Sequence, residues 1–172
     1  MDILTPLFAM DSISRVNKAV VHGGLFIAGD NFANVTLANT SREFLGNSVI
    51  NNIMSLGRPF RPIFTIENDF IAPHIFELDA GNIDNHRGVY IAAFNYAPYK
   101  RAFKYKLSAT TIPSSSSTIT AVNVWSGLKY STITDGYLTI TVEPRTSLLL
   151  FYSSNNEKYI GDSSSVPSVI IM

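Results

Sequence analysis

The sequence predicts a mainly β protein: an antiparallel β-sandwich over residues 63–172, preceded by a helical, α/β-like segment over residues 1–62. Three observations carry this. The hydrophobic period shifts from helical to two near residue 60. Six short runs rich in β-branched and aromatic residues then follow: "APHIFELDA", "RGVYIAAFNYA", "RAFKYKLSA", "TAVNVWSG", "GYLTITVEP" and "TSLLLFY". Turn clusters separate them, "GNIDNHRG", "PSSSST", "SGLK" and "TDG", which is the spacing of a sandwich.

The elements are read in chain order. "DSISRVNKAVVHGG" opens on Asp11 or Ser12 as N-cap and closes on Gly23, with Ile13, Val16, Ala19 and Val20 on one helical face. "LFIAGD", Leu25 to Asp30, is a short continuous apolar run, as in a strand buried on both faces. "TSREFLGNSVINNIMSLG" reads as a second helix. Thr40 or Ser41 caps it, Glu43 sits in its first turn, Leu45, Val49, Ile53 and Leu56 form its stripe, and Gly57 ends it before "RPFRP". "RAFKYKLSA" alternates, with Ala102, Lys104 and Lys106 opposite Phe103, Tyr105 and Leu107, so one face is packed and one is wet. Phe94, Trp125, Leu138, Ile140, Leu149 and Phe151 are expected to face inward in the sandwich. The tail "GDSSSVPSVIIM" is expected to add an edge strand or pack back. A lone strand flanked by two helices has nothing to pair with. Either these first residues wrap around the sandwich, or they belong to a larger α/β unit.

Composition narrows the function classes. With 46% apolar residues, 11 Phe and 8 Tyr, there is material for a core. Thirteen basic residues balance 13 acidic ones, which gives no support for a nucleic-acid or membrane-surface partner. No apolar run approaches a membrane span. The start "MDILTPLFAMDS" lacks a basic n-region, so a cytoplasmic location is expected. Without cysteine there is no disulfide framework and no thiolate metal site.

Several short motifs stand in register along the chain. They are Asp2-Ile3-Leu4, then Gly23-Gly24-Leu25-Phe26-Ile27-Ala28-Gly29-Asp30, then Gly57-Arg58-Pro59-Phe60-Arg61. Ile91-Ala92-Ala93-Phe94-Asn95, Val122-Asn123-Val124-Trp125-Ser126-Gly127 and the apolar strand Leu148 to Phe151 follow. In this order the chain resembles the C-terminal part of α-galactosidases of the melibiase and raffinose-synthase-like glycoside hydrolase clan. Those enzymes join a (β/α)8 barrel to an antiparallel β-sandwich. The chain departs from the family at Gly29, where Ser is frequent, and shows only the end of the D-x-D stretch. The resemblance implies that residues 1–62 are a remnant of the last β-α unit of the barrel. "LFIAGD" is then its eighth strand and residues 40 to 56 its eighth helix. On this resemblance Asp30 stands at the C-terminal end of a barrel strand, where it is expected either at the substrate rim or as a cap of the following loop. Retaining glycosidases use two carboxylates about 5 Å apart, and in this family both come from earlier strands. The resemblance therefore implies no catalytic residue, metal or cofactor in this chain. The chain is expected to be a C-terminal fragment or subunit of an α-galactosidase-like glycoside hydrolase, inactive alone. The alternative is a free-standing β-sandwich module for carbohydrate binding or protein interaction. Expected partners are an α-galactoside or other carbohydrate, a partner barrel chain, or a second copy pairing through the open edges of Leu25 to Ala28. Neither nucleic acid nor membrane is expected.

Other constellations are weaker than their ordinary readings. His22, His74 and His86 lie in three different segments and read as surface or loop histidines rather than a metal triad. Glu67, Asp69, Glu77 and Asp79 read as solvated charge around a strand start rather than paired catalytic carboxylates. Ser12 and Ser14 lie in a helix start with no nucleophile elbow. "YAPYKRAFKYK" mixes aromatics and bases but reads as a hairpin with a wet basic side. Trp125 sits in an apolar run and reads as a core or sandwich-edge residue rather than a sugar platform.

Overall fold

The structure, a computed structural model, describes residues 12–22, 46–64, 73–83, 86–112 and 121–153. Among these are two helices, α1 (Ser12–Val21) and α2 (Ser48–Ser55), and nine strands. The strands are β1 (Arg61–Ile63), β2 (Ile75–Ile83), β3 (His86–Phe94), β4 (Arg101–Lys106), β5 (Ala121–Asn123), β6 (Lys129–Tyr130), β7 (Ile133–Thr134), β8 (Tyr137–Val142) and β9 (Ser147–Ser153). They form two antiparallel sheets, one of six strands in the order β1-β2-β3-β9-β5-β6 and one of three in the order β4-β8-β7. The mainly β, antiparallel two-sheet expectation holds.

The six-stranded sheet is covered on both faces. On β3, Val89, Ile91 and Ala93 join Ile63, Ile75, Leu150 and Tyr152 in a core shared with Phe103, Tyr105, Leu138, Ile140 and Val142 of the small sheet. The alternate residues Tyr90, Ala92 and Phe94 join Phe76, Leu78, Leu149 and Phe151 in a second core, closed by Val16, Val20 and Val21 of α1 and Val49, Ile50 and Ile53 of α2. Side chains alternate across a strand, so an unbroken apolar run such as Val89 to Phe94 is what two covered faces require. By contrast β4 and β8, in the outer sheet, alternate. Phe103 and Tyr105 are buried while Ala102, Lys104 and Lys106 are exposed, and Leu138, Ile140 and Val142 are buried on β8.

The inward expectation is therefore corrected for four of its six residues. Leu138 and Ile140 face the space between the sheets. Phe94, Leu149 and Phe151 are buried on the opposite face, against the helices. Trp125 is half-buried in the turn after β5, where it packs on the helical core. The strand expected through "TAVNVWSG" ends at Asn123, because the Asn123 side chain turns the chain: its Oδ1 accepts from the Trp125 and Ser126 amides at 2.8 and 3.2 Å.

Both helices start or face differently from expectation. α2 begins at Asn47, whose side chain accepts from the Val49 and Ile50 amides at 3.0 and 3.1 Å and so satisfies two orphan N-terminal donors. The expected caps Thr40 and Ser41, with Glu43 and Leu45, lie outside the described residues, as do Asp11, Gly23, the run Leu25 to Asp30 and the tail from residue 154. α1 turns Ser14, Asn17 and Val21 fully inward along with Val16 and Val20, while Ile13 and Ala19 are only half-buried. The "TDG" turn is a two-residue hairpin: Thr134 pairs with Tyr137 across Asp135 and Gly136, at φ 50° and 76°. Two positive φ values match the right-handed strand twist, and Asp-Gly adopts them at low cost.

Leu149 and Leu150 are adjacent, fully buried, and face opposite cores. Leu149→Ala and Leu150→Ala should each cost about 2–5 kcal/mol in urea unfolding. A near-neutral Leu149→Ala would show that no helical layer covers that face.

Candidate functional site

The seam between α1 and the six-stranded sheet holds the densest set of specific side-chain contacts. Asn17, fully buried on α1, donates from Nδ2 to Ser147 Oγ on β9 at 2.9 Å. Its Oδ1 accepts from the Trp125 indole at 2.9 Å. An indole N–H only donates, so it fixes which end of the amide faces Trp125 and which faces Ser147. One residue on, Lys18 Nζ lies 5.0, 5.1 and 5.7 Å from the ring centroids of Phe76, Phe94 and Tyr96. It also donates to the Tyr96 hydroxyl at 3.1 Å. Burial pushes the Lys18 ammonium below its usual value, while the ring faces favour the charged form. The Phe60 amide closes the far end of α1 by donating to the Val21 carbonyl at 3.0 Å.

Motif residues elsewhere among the described ones form joints of the same kind. Arg61 on β1 lies opposite Glu77 on β2 and donates to its Oε1 through Nε and Nη2 at 2.9 and 2.6 Å. The Thr111 amide takes Oε2 at 2.8 Å. Glu77 is buried although Arg61 is half-exposed, so the solvated-charge reading fails for this residue. The cause is a partner 16 residues away that completes a charge-assisted pair. Asn95, fully buried at the crossing from β3 to β4, donates from Nδ2 to the carbonyls of Tyr99, Val142 and Glu143 at 2.7, 3.1 and 3.0 Å. Its Oδ1 accepts from the Ala97 amide at 3.0 Å. Gly127, at φ 68°, takes a left-handed conformation that closes the Trp125-Ser126 turn at little steric cost.

Asp30, the expected rim residue, lies outside the described residues, as do Glu67 and Asp69. The histidines do not converge. His22 is exposed beyond α1. His74 is half-buried rather than at the surface, stacked on Phe103 at 5.0 Å, with Nδ1 at 3.0 Å from the Phe94 carbonyl and Nε2 at 3.3 Å from Arg101 Nη1. The carbonyl only accepts and the guanidinium only donates, which selects the Nδ1–H tautomer. Nothing is described of the His86 side chain. Among the described residues no group of acidic and histidine side chains is arranged to hold a metal. Three carboxylates there are engaged structurally: Glu77 by Arg61 and Thr111, Asp79 by the Gly81 amide at 2.9 Å, Glu143 by Lys100 at 2.5 Å; Asp135 is exposed in the hairpin turn. Asn17, Lys18 and Ser147 were not singled out in the sequence. The available signal was Ser14, Asn17 and Val21 at helical spacing, which places two polar side chains on the buried face.

Family models and curated proteins return no match. Solved structures do match in fold. An α-galactosidase I from Mortierella vinacea is 16% identical, with a TM-score of 0.56, covering 88% of this chain and 36% of its own. A GH27 β-L-arabinopyranosidase from Geobacillus stearothermophilus is 12% identical, with a TM-score of 0.51, covering 86% and 31%. An isomalto-dextranase from Arthrobacter globiformis T6, complexed with panose, is 11% identical, with a TM-score of 0.56, covering 81% and 23%. The chain thus spans about a third or less of the length of these structures, and its fold is that of the C-terminal β-domain of the GH27 enzymes among them. Residues 63–172 make up 110 of the 172, so a coverage of 88% also takes in part of the first 62 residues. Among the described residues no helix is long and apolar enough to cross a membrane.

Two outcomes follow from this chemistry. Arg61→Ala strands a buried carboxylate, and it should cost about 2–4 kcal/mol, against under about 1 kcal/mol for Lys100→Ala at the exposed pair. Equal losses in urea unfolding would show that the Arg61 pair is an ordinary surface bridge. Burial also raises the Tyr90 and Tyr96 phenols from 10.0 to about 12. Native phenols therefore hold their protons to higher pH than unfolded ones, so the stability they lend is whole below pH 10 and lost as pH climbs to about 12. Urea midpoints should hold from pH 8 to 10 and fall toward pH 12, with a smaller fall in Tyr96→Phe; a fall of the same size in Tyr96→Phe would refute the Tyr96 contribution.

Proposed function

We propose that this chain is the barrel-end and sandwich portion of an α-galactosidase-like glycoside hydrolase, a structural C-terminal part that does not turn over substrate alone. The observation that carries the reading is the seam. Helices from the first 62 residues are seated on the outer face of the sandwich by Asn17, Lys18 and Phe60, and the fold match extends over both parts. A sandwich whose outer face is finished by helices is a platform for a barrel rather than an open sugar-binding sheet. Trp125, the residue most suited to stack on a sugar, donates its indole N–H to the helix.

Hydrolysis with retention needs two carboxylates about 5 Å apart and free to exchange a proton and attack the anomeric carbon. Glu77, the buried carboxylate of the described residues, has both oxygens occupied. The chemistry belongs to barrel strands earlier than the matched region, supplied on the same polypeptide or by a partner chain. On this reading the substrate is an α-galactoside or a related carbohydrate, with Asp30 at the rim of its site.

The purified 172-residue chain should release chromophore from a chromogenic α-galactoside no faster than buffer. Sustained turnover in a preparation free of host glycosidase would overturn the reading. With a barrel chain added, activity should appear, and Asp30→Ala should lower it while leaving the thermal midpoint of the sandwich in place.

A further inference from the structure

Lys18 is a half-buried cation whose described partners are three aromatic rings and a phenol hydroxyl, with no carboxylate among them. The rings come from three places: Phe76 from β2, Phe94 from the end of β3, and Tyr96 from the crossing that follows. They are fixed against one another. Phe76 meets Phe94 edge-on at 5.8 Å, and Phe94 lies parallel to Tyr96 at 6.1 Å. His74 meets Tyr96 at a tilt, with ring centroids 5.6 Å apart. Phe76 and Phe94 are also buried in the helix–sheet core, so the walls are set by strand packing and not by Lys18 itself. A rigid set of ring faces around one point, with a hydroxyl oxygen to accept a hydrogen bond, is the arrangement that recognises alkylammonium ions.

We propose that Phe76, Phe94 and Tyr96 form an ammonium-binding cage, that Lys18 of the same chain is its resident ligand, and that occupancy of the cage fixes α1 to the six-stranded sheet. The seat rests on the rings and the phenol oxygen, so charge rather than length of side chain decides whether it is filled. Arginine at this position remains a cation able to lie over the rings. Methionine keeps much of the bulk and loses the charge. The proposal concerns how the helical layer is held and stands apart from the glycosidase reading: it would survive that reading's failure.

The chain carries its own reporter, because its single tryptophan, Trp125, bonds to Asn17 beside Lys18. In Lys18→Ala the missing atoms beyond Cβ amount to propylammonium. The expected result is that Lys18→Ala lowers the thermal midpoint and shifts Trp125 emission to the red, and that propylammonium chloride reverses both with saturation. 1-Propanol and sodium chloride at the same concentration should give less than half the recovery. Lys18→Arg should stay close to the wild type and Lys18→Met should not. Adding Tyr96→Leu to Lys18→Ala should abolish the rescue. Equal rescue by propanol, a wild-type Lys18→Met, or no response to propylammonium would each overturn the proposal. Should Lys18→Ala fail to fold, comparison of the Met and Arg variants decides it, because both reach the rings with similar bulk and only one keeps the charge.

Discussion

The six-stranded sheet is buried on both faces, and the remaining architecture serves that condition. A sheet with one wet face needs only alternation, as β4 and β8 show. Strands β3 and β9 have no wet face: Val89 to Phe94 and Leu149 to Tyr152 are buried without a break. Such a sheet is stable only if two layers cover it, since apolar area left in water forfeits roughly 25 cal/mol per Å². The small sheet covers one side through Phe103, Tyr105, Leu138, Ile140 and Val142. The helices α1 and α2 cover the other through Val16, Val20, Val21, Val49, Ile50 and Ile53. The helices α1 and α2 are therefore part of the packing problem of the sandwich, and β1, Arg61–Ile63, ties the chain that follows α2 into its edge.

Apolar cover alone does not set the position of a layer, and polar joints supply the missing specificity. Each joint is a buried polar group whose capacity is filled from a different element. Asn17 links α1 to β9 and to the turn after β5. Asn95 gathers carbonyls from both sheet crossings. Glu77 holds β1 and the segment after β4 together. The net gain from each hydrogen bond is about 1 kcal/mol, but a shifted layer would leave several buried groups unpaired at about 1–3 kcal/mol apiece. The penalty for the wrong register thus exceeds the reward for the right one, and that asymmetry selects a single arrangement.

Much of this was legible in the sequence, and the illegible part has a common cause. Local signals were reliable: the alternation of "RAFKYKLSA", the Asp135-Gly136 turn and the apolar run "TSLLLFY" each produced the expected element. What a run of six buried residues cannot show is which side each one faces, because that depends on the number of layers. Phe94, Leu149 and Phe151 were placed between the sheets for that reason, when they face the helices. The face of α1 was misjudged because Ser14 and Asn17 are polar, and only the partners Ser147 and Trp125, more than 100 residues away, make burying Asn17 favourable. Glu77 read as a surface charge because Arg61 and Thr111 are 16 and 34 positions distant. For α2, a Thr-Ser pair drew attention from Asn47, which does the capping. The candidate site was less legible still. Asp30 rests on the family resemblance alone, and the seam residues gave no motif.

Among the described residues, the motifs that carried the resemblance turn out to be joints. Phe60 and Arg61 tie the helical layer and β1, Asn95 closes the sheet crossings, and Asn123, Trp125 and Gly127 form a turn that reaches back to α1. None of them is placed to attack, protonate or coordinate. This explains how the chain shares a fold with three carbohydrate-active enzymes at 11–16% identity: a few residues at layer crossings are enough to fix the order of layers, and the core between them tolerates exchange of one apolar side chain for another of similar volume. It also sets the proper weight of the likeness. Residues that select an architecture are silent about the reaction performed on it, because chemistry resides in a separate constellation. The glycosidase reading therefore rests on a catalytic constellation that these joints do not form, while the layered platform rests on the joints themselves.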